Sequence, residues 1–142
     1  MQVLERAKRD VLKAQDKTEL IGYEGMAANA YFEVLPILIL NQKTDFPFHG
    51  RNRRPPKDAV NAMLSFAYTL IANDVAAALE TVGLDPYVGF LHTLRPGRTS
   101  LALDMMEELR AYLGDRFILS LINKRQISEE DFLFQGDNGV VM

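Results

Sequence analysis

Three short segments of this 142-residue chain carry groups suited to acid–base or metal chemistry. Gly22-Tyr23-Glu24-Gly25 places a carboxylate in a stretch otherwise rich in small residues, among them Ala27, Ala28 and Ala30. Gly89-Phe90-Leu91-His92 places an imidazole in an irregular segment, with Arg95 and Arg98 close behind. Asp104 and Glu107 stand three apart, so on a helix they share a face about one turn from each other. Like charges at that spacing repel by roughly a few tenths of a kcal/mol unless a cation lies between them, and a metal ion is the obvious candidate. One imidazole nitrogen with two or three carboxylate oxygens suits Mn²⁺ or Mg²⁺ better than structural Zn²⁺. Such an ion polarises a phosphoryl oxygen and activates a water or a sugar hydroxyl. Each segment has a plainer reading as well. The acid pair fits a solvated helix face, His92 a surface or capping histidine, and Glu24 a salt-bridge partner on a close-packed face.

Charge is unevenly distributed. The chain is −3 overall, but residues 43–57 hold Lys43, Arg51, Arg53, Arg54 and Lys57 against Asp45, a local +4 that leaves −7 elsewhere. A basic patch beside acidic clusters suits an enzyme that holds a polyanion near metal-binding carboxylates, although a solvated loop has the same composition. Cysteine is absent, which excludes disulfides, thiolate zinc sites and cysteine nucleophiles. With only His49 and His92, a transition-metal site must lean on carboxylates. No Gly-x-Ser-x-Gly elbow, P-loop or dinucleotide fingerprint occurs. The longest uninterrupted apolar run, residues 34–40, contains Pro36 and falls far short of the roughly 20 residues of a bilayer span. The first ten residues are charged where a signal peptide is apolar, so no membrane association and a cytoplasmic location are expected.

The elements that must position these groups are helical. Val3, Ala7, Val11 and Ala14 predict a helix over 2–16, and a second is expected to start near Thr18 and run to about 35. Gly22 and Gly25 inside it cost about 1 kcal/mol each, so close approach of another helix or a ligand is expected there. Residues 41–57 read as a long loop, expected to be mobile because its five cations repel and little beyond Phe46 and Phe48 anchors it. After Pro55-Pro56 a helix is predicted over about 57–82, with Val60, Leu64, Ala67, Ile71, Val75, Ala78 and Val82 on one face and Gly83 ending it. A second irregular stretch, 84–98, precedes a helix over 100–123 capped by Thr99 or Ser100, with Leu103, Met106, Leu109, Leu113 and Phe117 on its apolar side. The tail reads as a short hairpin turning at 137–139, and its end in an apolar strand suggests a piece of a longer protein. Residues 1–142 are thus expected to form a single all-α domain of about four main helices with a short C-terminal β-hairpin.

Read together, four blocks resemble the C-terminal helical, catalytic domain of the CRISPR-associated adaptation endonuclease, the integrase that inserts new spacers. They are Gly22-Tyr-Glu24-Gly-Met-Ala-Ala-Asn-Ala-Tyr-Phe, Arg53-Arg-Pro-Pro-Lys-Asp-Ala-Val-Asn61-Ala-Met-Leu-Ser-Phe-Ala-Tyr68, Gly89-Phe-Leu-His92 and Ser100-Leu-Ala-Leu-Asp104-Met-Met-Glu107-Glu-Leu-Arg110. They stand in the family's order across about 18–125, and look most like the form found with the type I-C system. The resemblance implies a Mg²⁺ or Mn²⁺ site on Glu24, His92 and Glu107, with Asp104 assisting. It implies phosphoryl transfer, in which a DNA 3′-hydroxyl attacks a phosphodiester, and nuclease activity on branched DNA at the same site. Arg53, Arg54, Lys57, Arg95 and Arg98 would contact backbone phosphates. The implied partners are double-stranded and branched DNA, a second copy in a full-length homodimer, and the small second CRISPR adaptation protein. Full-length members carry an N-terminal β-rich domain and continue past Val-Val-Met, and neither part is represented in this sequence. Two other readings use the same residues: a metal nuclease of branched-DNA repair, and a helical interaction module without catalysis.

Overall fold

A computed structural model describes residues 2–93, 95–136 and 139–142. The chain is all-α: α1 (Gln2–Val11), α2 (Lys17–Val34) with a 3₁₀ turn at Leu35–Leu38, α3 (Ala59–Thr81), α4 (Ser100–Leu109) and α5 (Arg116–Asn123). A π-helical turn, Arg110–Asp115, joins α4 to α5 end to end, so the single helix expected over 100–123 is present but interrupted. The tail closes as a two-stranded antiparallel hairpin, β1 (Leu133–Phe134) and β2 (Val140–Val141), in register Leu133↔Val141 and Phe134↔Val140. Of the expected turn at 137–139, residues 137 and 138 lie outside the described residues, while Gln135 N–H donates to the Gly139 carbonyl.

The ends of α3 follow local chemistry. Asp58 accepts the Asn61 N–H at 2.8 Å, which satisfies one orphan donor of the first turn. Gly83 at φ +80° ends the helix, with Gly83 N–H donating to Glu80 and Leu84 N–H to Leu79, the paired bonds of a Schellman motif. The start of α2 falls at Asp16, whose carboxylate accepts the Glu19 N–H, rather than at Thr18. By length and hydropathy alone α3 is long and apolar enough to cross a bilayer, which a count of uninterrupted apolar residues does not register. Here residues 59–64 pack in the core with Phe32, Leu35, Met106, Ile118, Ile122 and Phe132.

Four expectations are corrected. The loop over 41–57 is anchored: Phe46 and Phe48 are core residues, only 1% and 5% exposed, and Phe46 packs edge-on against Phe132. The Asn123 side chain also accepts Leu40 and Asn41 N–H and donates to the Leu38 carbonyl, while Gln42 bridges the Ile122 and Ile127 carbonyls. Second, Leu109, Leu113 and Phe117 are exposed, and Asp115, Ile118 and Ile122 are buried instead. The π turn inserts an extra residue and so rotates the following face. Third, a Cβ on Gly22 or Gly25 would meet nothing within 4 Å, so no other helix approaches either glycine closely. Fourth, α1 stops at Val11; of its apolar residues Ala7 is buried, whereas Val3, Leu4 and Val11 stay exposed.

Removing the Phe46 ring should leave a large void beneath the loop. Phe46→Ala is expected to destabilise the chain by about 3–5 kcal/mol in urea unfolding, and a loss well under 1 kcal/mol would show that the loop is not part of the core.

Candidate metal and phosphate site

The first turn of α4 has no side-chain cap: Thr99 holds the N-cap position, but Leu101 and Ala102 N–H both donate to the Pro86 carbonyl. The expected capping by Thr99 or Ser100 is thus replaced by a backbone carbonyl, which ties 84–98 to the helix. One turn further on, Asp104 folds the same loop. Its Oδ2 accepts Phe90 N–H at 2.7 Å and Leu91 N–H at 2.9 Å, and its Oδ1 accepts His92 N–H at 2.9 Å. His92 Nδ1 lies 2.6 Å from the same Oδ1. An ionised carboxylate only accepts, so Nδ1 carries a proton, and in the neutral ring Nε2 is the nitrogen that keeps its lone pair. Gly89 is required by the closeness of this approach: a Cβ there would lie 2.7 Å from the Ser100 backbone carbon and 2.8 Å from Asp104 Oδ2. Burial alone raises the Asp104 carboxyl, but the Leu91, His92 and Phe90 N–H groups and the His92 ring outweigh it and hold it below the ordinary carboxylate range.

Asp104 is therefore spent on the loop and has no oxygen free for a metal. It positions His92. Nor does a cation have to bridge the acid pair, because Glu107 has its own partner: Arg110 donates to its Oε1 at 2.7 Å. Burial pushes the Glu107 carboxyl above its usual value; Arg110 opposes this and the Glu24 charge adds to it.

Glu24, on α2 and exposed, forms no ion pair among the described residues. It lines a cavity of about 460 Å³ together with His92, Glu107 and Tyr23. His92 and Glu107 also line a second cavity of about 290 Å³, where Arg51, Arg53, Arg54, Arg98 and Arg110 meet. The fold thus gathers Glu24, His92 and Glu107, although 68 positions separate the first two. Lys57 and Arg95 are exposed and stand outside the arginine-lined cavity. As donors, a neutral imidazole oriented by a carboxylate and two further carboxylates fit Mg²⁺ or Mn²⁺. Among the described residues, no three acidic or imidazole side chains already stand close enough to hold an ion.

Five participants were not anticipated as a group. Arg51 donates to Asn61 Oδ1 at 2.8 Å, to Ser65 Oγ at 3.0 Å and to the Asn52 carbonyl, while its Nε is buried without a partner. Burial lowers its pKa from the ordinary value. Arg51 and Arg110 both lie over the Tyr68 ring, 5.4 and 5.1 Å from its centroid. Tyr68 and Tyr31 donate their hydroxyls to the buried Asp115 carboxylate at 2.5 and 2.8 Å. Burial, reinforced by Asp115, holds both phenols well above their ordinary range. In the sequence, the signal for this cluster is an aspartate following a glycine inside an apolar helix, Gly114-Asp115, with no basic residue three or four positions away to pair it.

Carboxylates and an oriented histidine thus stand beside an arginine-lined cavity in a helical domain. The family described as CRISPR associated protein Cas1 matches residues 1–142. The CRISPR-associated endonuclease Cas1 of Leptospira interrogans is 54% identical over 121 residues, covering 85% of this chain and 47% of that protein. A second such endonuclease, from Rhodospirillum rubrum, is 57% identical over 129 residues, 91% of this chain and 37% of that one. Among solved structures, a Cas1 protein from Thermotoga maritima superposes with a TM-score of 0.89 at 34% identity, over 98% of this chain and 44% of that chain. A casposase bound to integration product gives 0.83 at 27% identity, over 99% and 43%. The chain belongs to the Cas1 family, and it spans less than half the length of these relatives.

Because the Asp104 carboxyl is held low in the folded state, its contribution to stability is present above the ordinary carboxylate range, near pH 4, and is lost as pH falls through its folded-state value. Asp104→Asn should therefore lower stability at pH 7 and make the acid limb of the stability profile shallower than in the parent chain. Equal steepness in both would remove Asp104 as the loop's organising group.

Proposed function

We propose that this domain is the catalytic part of a divalent-metal-dependent DNA endonuclease and integrase of CRISPR spacer acquisition, of a type I-C-like form, working in the cytoplasm. The observation that carries the reading is the orientation of His92. Asp104 fixes its Nδ1–H, and the ring borders the cavity shared with Glu24 and Glu107 as well as the one lined by arginines. Glu24, His92 and Glu107 would hold Mg²⁺ or Mn²⁺, which supplies Lewis-acid polarisation of a phosphoryl oxygen and activation of the attacking hydroxyl.

The chain's own residues do the rest. Asp104 keeps His92 in the tautomer that presents Nε2 as a donor. Arg53, Arg54 and Arg98 hold backbone phosphates without reading sequence, and Lys57 and Arg95 extend that contact at the rim. Guanidinium groups aimed at the transferring phosphate offset the charge that builds on its oxygens. In integration a 3′-hydroxyl oxygen bonds to phosphorus as the bond to the departing 3′-oxygen breaks; in cleavage a water takes the place of that hydroxyl. The names of the relatives support the nuclease activity, and the casposase complex supports the integration chemistry. Double-stranded and branched DNA are the substrates of this reading. A homodimer of the longer protein and the small second adaptation protein are its partners, the latter supported by a partial Cas6-RT-Cas1–Cas2 complex that superposes with a TM-score of 0.87 at 29% identity.

Cleavage of a branched duplex in Mn²⁺ tests this directly. Chelation and Glu24→Ala are each expected to reduce the rate by more than the roughly 10–100-fold that loss of an outer-shell partner costs a metal site. Cleavage that persists in chelator, or an undiminished E24A rate, would contradict it.

A further inference from the structure

Five of the ten arginines line one cavity of about 290 Å³, and among the described residues Glu107 is the only carboxylate lining it. The ion pairs among the described residues are Arg6–Asp10, His92–Asp104 and Arg110–Glu107, so Arg51, Arg53, Arg54 and Arg98 face this space without an acidic partner. Arg51 brings a buried Nε that bonds to nothing. Guanidinium groups gathered this closely repel one another in a partly desolvated space, and an anion relieves that repulsion. The planar fork of donors on Arg53, Arg54 and Arg98 matches a phosphate, while Arg51, bonded to Asn52, Asn61 and Ser65, adds its charge from the wall.

Arg110 differs from the other four in being paired with a carboxylate. It bonds to Glu107, with the two side chains only 14% and 26% exposed, and its guanidinium also lies over the Tyr68 ring beside Arg51. A cation that takes the Glu107 oxygens removes the first attachment and leaves the second. Tyr68 itself is fixed by Asp115, so the released guanidinium stays within the cavity.

We infer that the arginine-lined cavity is a phosphodiester-binding site coupled to the cation site through Arg110, which exchanges Glu107 for phosphate when a divalent ion binds. This rests on the reading of Glu107 as a metal ligand and adds a role for Arg51 and Arg110 that the basic loop does not suggest. Metal tightens DNA binding, and by reciprocity DNA tightens metal binding by the same factor. Before metal arrives, Arg110 neutralises Glu107 and is withheld from phosphate.

Titrations of the chain with hexathymidylate and with Mn²⁺ separate the possibilities, with folding of each variant checked by circular dichroism melting. Arg110→Gln should tighten Mn²⁺ binding in the absence of DNA, because the competing cation is gone. It should weaken hexathymidylate binding only when Mn²⁺ is present, by about fivefold or more. Glu107→Gln should raise metal-free hexathymidylate affinity, and the gain should vanish in the E107Q/R110Q double variant. Arg98→Gln should lower the slope of log affinity against log salt by about 0.7, with or without Mn²⁺.

Three results would overturn the inference: weaker Mn²⁺ binding in R110Q, an R110Q cost equal with and without Mn²⁺, or a gain in E107Q that survives the double substitution. An unchanged salt slope in R98Q would remove the cavity as a phosphate site. The metal reading fails separately: if Glu24→Ala leaves Mn²⁺ affinity unchanged while R98Q still alters the slope, the phosphate site stands and the assignment of the ion does not.

Discussion

A single buried carboxylate, that of Asp104, sets the geometry of the site. It accepts three consecutive backbone N–H groups and one ring N–H from residues 90–92. A buried carboxylate without such donors would cost several kcal/mol in lost hydration, so the loop and the acid require each other. The constraint propagates outward. Gly89 has to be glycine for the backbone to reach Asp104, and the Pro86 carbonyl substitutes for the missing cap of α4. His92 then projects from a rigid frame, since its ring is held through Nδ1 and its backbone through its own N–H. A histidine on an otherwise irregular segment thereby gains the fixed direction that metal or phosphate chemistry needs.

The second organising centre lies on the far side of Glu107. Asp115 ties Tyr31 of α2 and Tyr68 of α3 to the π turn, and Gly114 lets Tyr68 pack against that turn, with a would-be Cβ only 3.0 Å from its ring. The π turn has two effects at once. It rotates α5 so that Ile118 and Ile122 enter the core, and it presents Arg110 to both Glu107 and Tyr68. Irregular helical turns of this kind recur at functional sites because they redirect side chains without ending the helix.

Much of this was legible in the sequence. The four-helix pattern, the Gly83 end of α3 and the tail hairpin follow from periodicity and turn chemistry; Glu24, His92 and Glu107, named through the resemblance, line one cavity. What escaped has physical reasons. A π turn has no compositional mark, so regular helical spacing carries the apolar face on to Leu113 and Phe117, where the turn has displaced it. Phe46 and Phe48, surrounded by cations and prolines, read as loop residues, yet two aromatic rings bury enough apolar surface to pin the segment. Asp104 and Glu107 share a helical spacing but not a role: one is turned into the loop and the other is paired with Arg110. Spacing alone gives a common face and says nothing about the donors that approach it. Arg51 was hidden in the basic loop, where nothing in the sequence separates a buried arginine from a solvated one.

The central claim is that Asp104, through His92, prepares a cation site shared with Glu24 and Glu107. Anomalous diffraction from crystals of the chain equilibrated with Mn²⁺ tests it most directly. The account predicts one strong peak within about 2.0–2.2 Å of His92 Nε2 and of oxygens from Glu24 and Glu107, with Asp104 still bonded to the 90–92 backbone. A peak coordinated by Asp104 itself, or a peak at other carboxylates with none at His92, would contradict it.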